Sequence, residues 1–304
     1  MMSITVRQAR ESDYDDVLAF TEGTWADRDV DDYIPDVFHE WVCADGPDQR
    51  TFVAERDGTV IGLCQGVLLT ESEAWAQGMR VAPDFRGEGI STVLTDACAD
   101  WARERGATVM RNMVFGWNTA GLGASRAAGF EPATEFRWAH PEPGSGVTAD
   151  GAHEVTTDPD AGWQFWQSSD AGEHLCGLGL DMDESWALSA VTLDRFHRAA
   201  EEQTQLTIAR GEDACATTYR VRDYEREEDG ETVRWAEYGV GAWSDPRAAS
   251  ALLAAVSDDA ARLGADRTRV LIPETARFVS DAVAAVGDVS DHPDFVMARD
   301  LAGP

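Results

Sequence analysis

Met79-Arg-Val-Ala-Pro-Asp-Phe-Arg-Gly-Glu-Gly-Ile-Ser91 holds the residues whose types and spacing point most directly to chemistry. Gly87 and Gly89 let a backbone pass close to a ligand with no Cβ in the way. A helical pattern, Thr92 to Arg105, follows at once. The free N–H groups of its first turn and the positive end of its dipole converge on one spot, which suits phosphate oxygens. Arg86, at the mouth of the loop, adds a guanidinium that forks onto a phosphate. A dinucleotide-binding fingerprint needs a third glycine and an acidic residue at the end of the next strand; neither stands in register here. A Walker loop ends in Gly-Lys-Ser/Thr, a triplet this chain lacks.

The elements that must position the loop are legible on both sides of it. Residues 4–10 alternate apolar and polar, as a strand does. Glu11 to Asp16 has the character of a helix start, and residues 33–43 suggest a second short helix. Thr51 to Glu55, Arg56-Asp57-Gly58 and Thr59 to Leu69 read as a hairpin with an Asp-Gly turn. Ala74 to Val81 is the strand that feeds the loop. Beyond the helix come a second strand-like run (Gly106 to Val114), Asn118, a short helix (Ala120 to Ala128), Gly129-Phe130, and a closing strand at Phe136 to His140.

This order of strand, Arg-Gly-x-Gly loop, helix, strand, Asn, helix and Gly-Phe resembles the GNAT superfamily of acetyl-CoA-dependent N-acetyltransferases. The resemblance covers roughly residues 3–140 and is motif-specific across about 79–130. It implies an α/β (α+β mixed sheet) fold, a mostly antiparallel central sheet flanked by helices. It implies acetyl-CoA as co-substrate and no metal. The loop Arg86, Gly87, Glu88, Gly89, Ile90 and Ser91 would carry the pyrophosphate. Ser91 stands where the family usually has Gly or Ala, a mild departure. Backbone N–H groups from Met79 to Val81 would hold the pantetheine arm and polarise the thioester carbonyl, as an oxyanion hole does. Asn118 would touch the cofactor arm; the competing role for it is a turn cap.

The catalytic residues are less sharply marked. The family often places a tyrosine general acid four residues before Gly-Phe, a position that is Ser125 here. A thiol with a reference pKa near 8.5 leaves readily without a strong acid. Glu73 lies in the register where some members carry a catalytic glutamate, with Glu71 and Glu135 as alternatives; a water chain would also serve as base. The competing role for each glutamate is a solvated surface carboxylate. Among the 11 Trp, those at 25, 41, 75, 117, 163, 166 and 186 are mostly core by expectation, with a few lining an acceptor cleft through cation–π contact. His39, His140 and His197 read as structural or exposed.

Composition narrows the setting. The chain has 304 residues, 56 acidic and 25 basic, for a formal charge of −31; every basic residue is Arg. That balance points to a halophile cytoplasm, where dense surface carboxylates keep a protein hydrated and soluble. At about 1 M salt the Debye length falls to about 3 Å, so local donors rather than long-range fields decide binding. No basic stripe is available for nucleic acid, and no apolar run approaches the ~20 residues of a membrane span. The start lacks the features of a signal peptide. The five cysteines are scattered, as expected of reduced thiols in a cytosolic protein, and His174-Leu-Cys176 has no second pair to complete a metal site.

Residues 141–162 turn polar and rich in Gly, Pro and Asp, as a linker does. The second half then repeats the first. Leu206 to Arg210 parallels Thr51 to Glu55, Trp235 to Pro246 parallels Trp75 to Asp84, Arg247 to Leu263 parallels Ser91 to Arg105, and Gly264 to Val270 parallels Gly106 to Arg111. At the loop the copy reads Ser244-Asp-Pro-Arg-Ala-Ala-Ser250, without glycine, and places Asp245 where phosphate would lie. The expected domains are 1–142, able to bind acetyl-CoA, a linker over 143–162, and a degenerate GNAT-like domain over 163–304 that walls the acceptor cleft or mediates a homodimer. The expected activity is acetyl transfer to a primary amine of a small molecule or a protein amino terminus by direct attack. The alternatives are a non-catalytic CoA-binding or interaction module and a longer acyl donor.

Overall fold

The computed structural model describes residues 4–22, 24, 32–144, 153–228 and 230–303. The chain divides into two compact units. One comprises Met1–Val114, Asn118–Pro132 and Met297–Pro304; the other comprises Phe115–Trp117 and Ala133–Val296.

The first unit opens with β1 (Thr5–Gln8), α1 (Tyr14–Thr21) and α2 (Ile34–Ala44). The hairpin β2 (Gln49–Arg56) and β3 (Thr59–Leu68) turns at Asp57 and Gly58, both at positive φ, the conformation a two-residue turn of this kind requires. β4 (Glu73–Val81) continues the antiparallel ladder β1-β2-β3-β4. Leu63 faces Arg80 and Gln65 faces Gln77, so Cys64 stands against two residues, Gly78 and Met79, in a β-bulge.

After β4 come α3 (Ile90–Arg103), β5 (Val109–Phe115) and α4 (Thr119–Ala127). β5 runs parallel to β4 over three residue pairs, Glu73–Val109 to Trp75–Arg111, and the recorded ladder goes no further. Beyond Trp75 the two strands part. α2 and α3 lie on opposite faces near the bulge. Cys64 reaches Cys98 of α3, Sγ to Sγ 3.6 Å, while a Cβ on Gly78 would meet Trp41 and Ile34 of α2.

β6 (Glu131–Ala139) leads into the second unit. That unit continues with β7 (Glu154–Thr156), α5 (Pro159–Gln167), α6 (Asp170–His174), β8 (Leu178–Leu180), β9 (Leu188–Ala190) and α7 (Leu193–Glu202). There follow β10 (Thr204–Arg210), β11 (Asp213–Glu228), β12 (Glu231–Tyr238), β13 (Ala242–Trp243), α8 (Pro246–Leu263), β14 (Arg267–Pro273), α9 (Ala276–Val286) and β15 (Asp294–Asp300). The β10–β11 hairpin, the antiparallel β12, the helix α8 and the parallel β14 repeat the order of the first unit. Trp235 faces Arg267 across its parallel pair as Trp75 faces Arg111.

Phe136–Ala139, read from the sequence as the strand closing the first sheet, pair instead with β14. The neighbour of β5 is β15, whose residues from Met297 onward belong to the first unit. Leu301 N–H reaches Thr108 O at 2.8 Å, and Arg299 donates to Asp96 at 2.8 Å and to Ala128 O at 3.1 Å. The last residues of the chain thus hold α3 and α4 of the first unit. No described helix is long and apolar enough to cross a membrane.

Candidate active site

The loop after β4 is built from its turn residues. Pro83–Phe85 make one tight 3-10 turn, and Arg86 follows in extended conformation. Gly87 and Gly89 both have φ of 82°. A Cβ at either would meet nothing within 4 Å, so the fold itself asks for glycine through the left-handed backbone alone. Gly89 caps α3 without a side chain, and the first turn of α3 carries no acidic residue. Among the described residues no side-chain oxygen caps the N–H groups at this helix end, where the positive end of the dipole lies.

α8 is built the opposite way. Its N-cap is Asp245, whose Oδ1 accepts Arg247 N–H and Ala248 N–H, each at 3.0 Å. Arg210 donates to the other oxygen at 2.8 Å. Those partners hold the Asp245 carboxyl below its ordinary pKa against the opposing pull of burial. The donors that α3 leaves uncapped are filled from within in α8.

Arg86 turns its Nε back onto Val81 O at 3.2 Å. Glu88 pairs with Arg56 at 2.6 Å, and the Arg56 guanidinium lies 5.0 Å over the Phe85 ring. Arg56 sits on the β2–β3 hairpin, 30 residues before the loop it reaches; the sequence reading passed over it, and only the pairing of β3 with β4 brings it here.

Asn118 is the N-cap of α4 and accepts Gly121 N–H at 2.9 Å, so the turn-capping role is occupied. Ser125 is buried on α4 and accepts from Asn112 Nδ2 of β5 at 2.7 Å. The Asn112 Oδ1 is buried with no partner among the described residues, an acceptor beside the Ser125 hydroxyl. Asn112 gave no sequence signal, because nothing local distinguishes one polar residue on a strand from the next.

Glu73 stands at the closed end of the β4–β5 pair. Its carboxylate is buried, takes Arg111 at 2.5 Å and accepts the Thr70 hydroxyl at 3.3 Å. About 20 Å of strand, at roughly 3.3 Å per residue, separate it from Met79. The structure therefore gathers Met79, Val81 and Arg86 to Ser91 along one strand and loop, and leaves Glu73 at the other end. Glu71 is exposed. Glu135 meets His174, Nε2 to Oε1 3.7 Å. His39 stacks on Tyr14 at 4.5 Å, His140 Nδ1 lies 3.0 Å from Thr268 O, and His197 pairs with Asp160 at 3.5 Å. Among the described residues no group of three or more His, Cys, Asp or Glu is placed to hold a metal ion.

Residues 11–130 match the acetyltransferase (GNAT) family model. Over 98 residues the chain is 32% identical to the histidine N-acetyltransferase of Xenopus tropicalis, a stretch that makes up 32% of this chain and 29% of that one. Over 89 residues it is 39% identical to the streptothricin acetyltransferase of Streptomyces lavendulae, covering 27% of this chain and 45% of that one. The chain thus spans less than half the length of either relative. Its fold matches a GCN5-related N-acetyltransferase from Sphaerobacter thermophilus with a TM-score of 0.62 and 16% identity, over 98% of this chain and 96% of the other.

Proposed function

We propose that the chain, whose residues 11–130 match the acetyltransferase (GNAT) family model, transfers an acetyl group from acetyl-CoA to a primary amine of a small molecule or a protein amino terminus. The observation that carries this reading is the uncapped N-terminus of α3 behind Gly87 and Gly89. Its N–H groups, with Arg86 and Arg56 beside them, suit the pyrophosphate. Ile90 and Ser91 open the helix there. Met79 and Val81 stand on the part of β4 that has no recorded pairing with β5, and their backbone N–H groups suit the pantetheine arm and the acetyl carbonyl.

The amine attacks the carbonyl carbon directly, the C–S bond breaks, and the CoA thiolate takes up the proton the amine has lost. Glu73 is held by Arg111 and Thr70, so we assign deprotonation to water near the reacting carbon rather than to its carboxylate. To Ser125, whose hydroxyl oxygen accepts from Asn112, we assign the passing of a proton to the leaving thiolate. The repeated strand–helix–strand order supports two GNAT-like domains, of which the second, with Asp245 at its helix end, takes no cofactor. The histidine and streptothricin relatives put free amino acids and amine-bearing small molecules first among acceptors.

Acetyl-CoA titrated by calorimetry in about 2 M KCl, which screens the acidic surface, is expected to bind at one site per chain. Mass spectrometry of the mixture with an amine panel is expected to show a gain of one acetyl group. Binding without any acetylated product would favour the second reading, a CoA-binding module, which the serine at the acid position supports. No binding would remove the cofactor assignment.

A further inference from the structure

The two faces of the first sheet at the bulge are not equivalent. α3 and its loop occupy one face. There Gly62 and Gly66 let the helix in so closely that a Cβ would come within 3.1 Å of Ile90 and Leu94 at Gly62, and of Trp101 at Gly66. Gly78 does the same on the other face, toward α2. With φ of 66°, it takes the six-membered ring of Trp41 so closely that a Cβ would lie 2.6 Å from Cζ3 and 2.8 Å from Cη2. The indole is laid against the backbone of β4 at the residue before Met79.

The surroundings fix this ring in place. Tyr33 packs edge-on to Trp41 with centroids 6.2 Å apart, and it is 41% exposed. Arg80 lies 5.5 Å from the Tyr33 ring and grips Asp32 with two bonds, Nε at 2.7 Å and a terminal nitrogen at 3.0 Å. Asp32 also accepts Ile34 N–H at 3.0 Å, which ties the start of α2 to β4. Among the Trp residues that the sequence put forward for an acceptor cleft, Trp41 has this position.

Resting on the acetyl-CoA reading above, we infer that Trp41 selects the acceptor, and that the acceptor is a primary amine carried on a short chain that ends in a flat ring. The cofactor arm comes from the α3 face, so an amine that attacks a carbonyl held at Met79 must come from the α2 face. It meets Trp41 and the exposed Tyr33 there. An indole face attracts an ammonium before deprotonation, and a ring on the same molecule stacks on the indole. Ring stacking and cation–π contact of this kind correspond to a preference of about tenfold.

The test compares the full chain with Trp41→Phe and Trp41→Ala, using 2-phenylethylamine and histamine against n-propylamine. Acetyl-CoA calorimetry is run on all three proteins. The wild type is expected to favour the ring amines about tenfold in kcat/KM. Trp41→Ala is expected to bring the three amines within about threefold, through KM, and Trp41→Phe to keep an intermediate preference. A ring preference unchanged in Trp41→Ala, or none in the wild type, overturns the inference while acetyl-CoA binding leaves the cofactor reading standing. No binding of acetyl-CoA by the wild type removes that reading, and this inference with it.

Discussion

Asp245 accepts the backbone N–H of Ala248 at 3.0 Å at the head of α8, and with that bond the second unit fills the helix end that the first unit leaves uncapped at Gly89. The two helices have the same place in the repeated order of elements, yet one presents donors and the other has spent them. An N-cap carboxylate satisfies donors that would otherwise need water or a ligand.

Asp245→Ala is expected to cost about 1 kcal/mol of stability, the usual loss for an N-cap of this kind. Arg210 loses its partner in the same change. Urea denaturation of the variant measures the loss. Calorimetry of the same variant is expected to keep one acetyl-CoA per chain, since Trp243 still stands two residues before the cap of α8, where α3 has Gly87. A second bound acetyl-CoA would show that the carboxylate alone had kept the second unit empty.

Gly89→Trp is expected to weaken acetyl-CoA binding beyond detection, by placing a side chain where the phosphate must approach. Gly89→Ala serves as the control for backbone strain. A Cβ there meets nothing, so only the φ of 82° opposes it, at about 1 kcal/mol. Titration of both variants at matched fold content, checked by circular dichroism, separates strain from blockage. Undiminished affinity in Gly89→Trp would place the pyrophosphate elsewhere.

Asp294 gives a pH dependence with a defined sign. Burial raises its pKa from 3.8 to about 6, against the opposing bonds from Trp138 Nε1–H and Gly116 N–H and the charges of Arg269 and Arg137. The folded state therefore prefers the protonated acid. Its contribution is largest below pH 3.8, falls as pH rises toward 6, and stays flat above. The rise from 3.8 to about 6 corresponds to roughly 3 kcal/mol. Asp294→Asn is expected to remove this fall, so the variant gains on the wild type between about pH 4 and 6. Melting curves of the pair across that range read the difference, which isolates Asp294 from the other carboxylates. Parallel pH profiles would show that the site does not titrate in this window.

The C-terminal residues are expected to matter for the cofactor end of the chain. Arg299→Ala removes the bonds to Asp96 and Ala128 O, at about 1 kcal/mol. Deleting 297–304 is expected to do more and to raise hydrogen exchange across α3 and α4. Unchanged protection of those helices would mean that the first unit stands without its last strand.

The formal charge of −31 predicts that salt stabilises this chain. The melting temperature is expected to rise between 0.05 M and about 2 M KCl as the Debye length shrinks from about 14 Å to a few ångström. A melting temperature that falls with salt would speak against adaptation to a halophile cytoplasm.

What the sequence determined by itself was local. The Asp57-Gly58 hairpin, the glycines of the loop, the cap at Asp245 and the helix that follows each are written in a few consecutive residues, because turn geometry and capping depend on φ and on neighbours three or four positions away. The like order of strands and helices in the two halves was legible for the same reason. Tertiary structure decided what no neighbour encodes. It set β6 against β14 and β15 beside β5, it carried Arg56 to Glu88, and it tied Glu73 to Arg111 at the closed end of β4. It also laid Trp41 on Gly78. Those pairings join residues tens to nearly two hundred positions apart. Which partner a strand edge or a charged side chain finds is settled by burial and register once the sheets form.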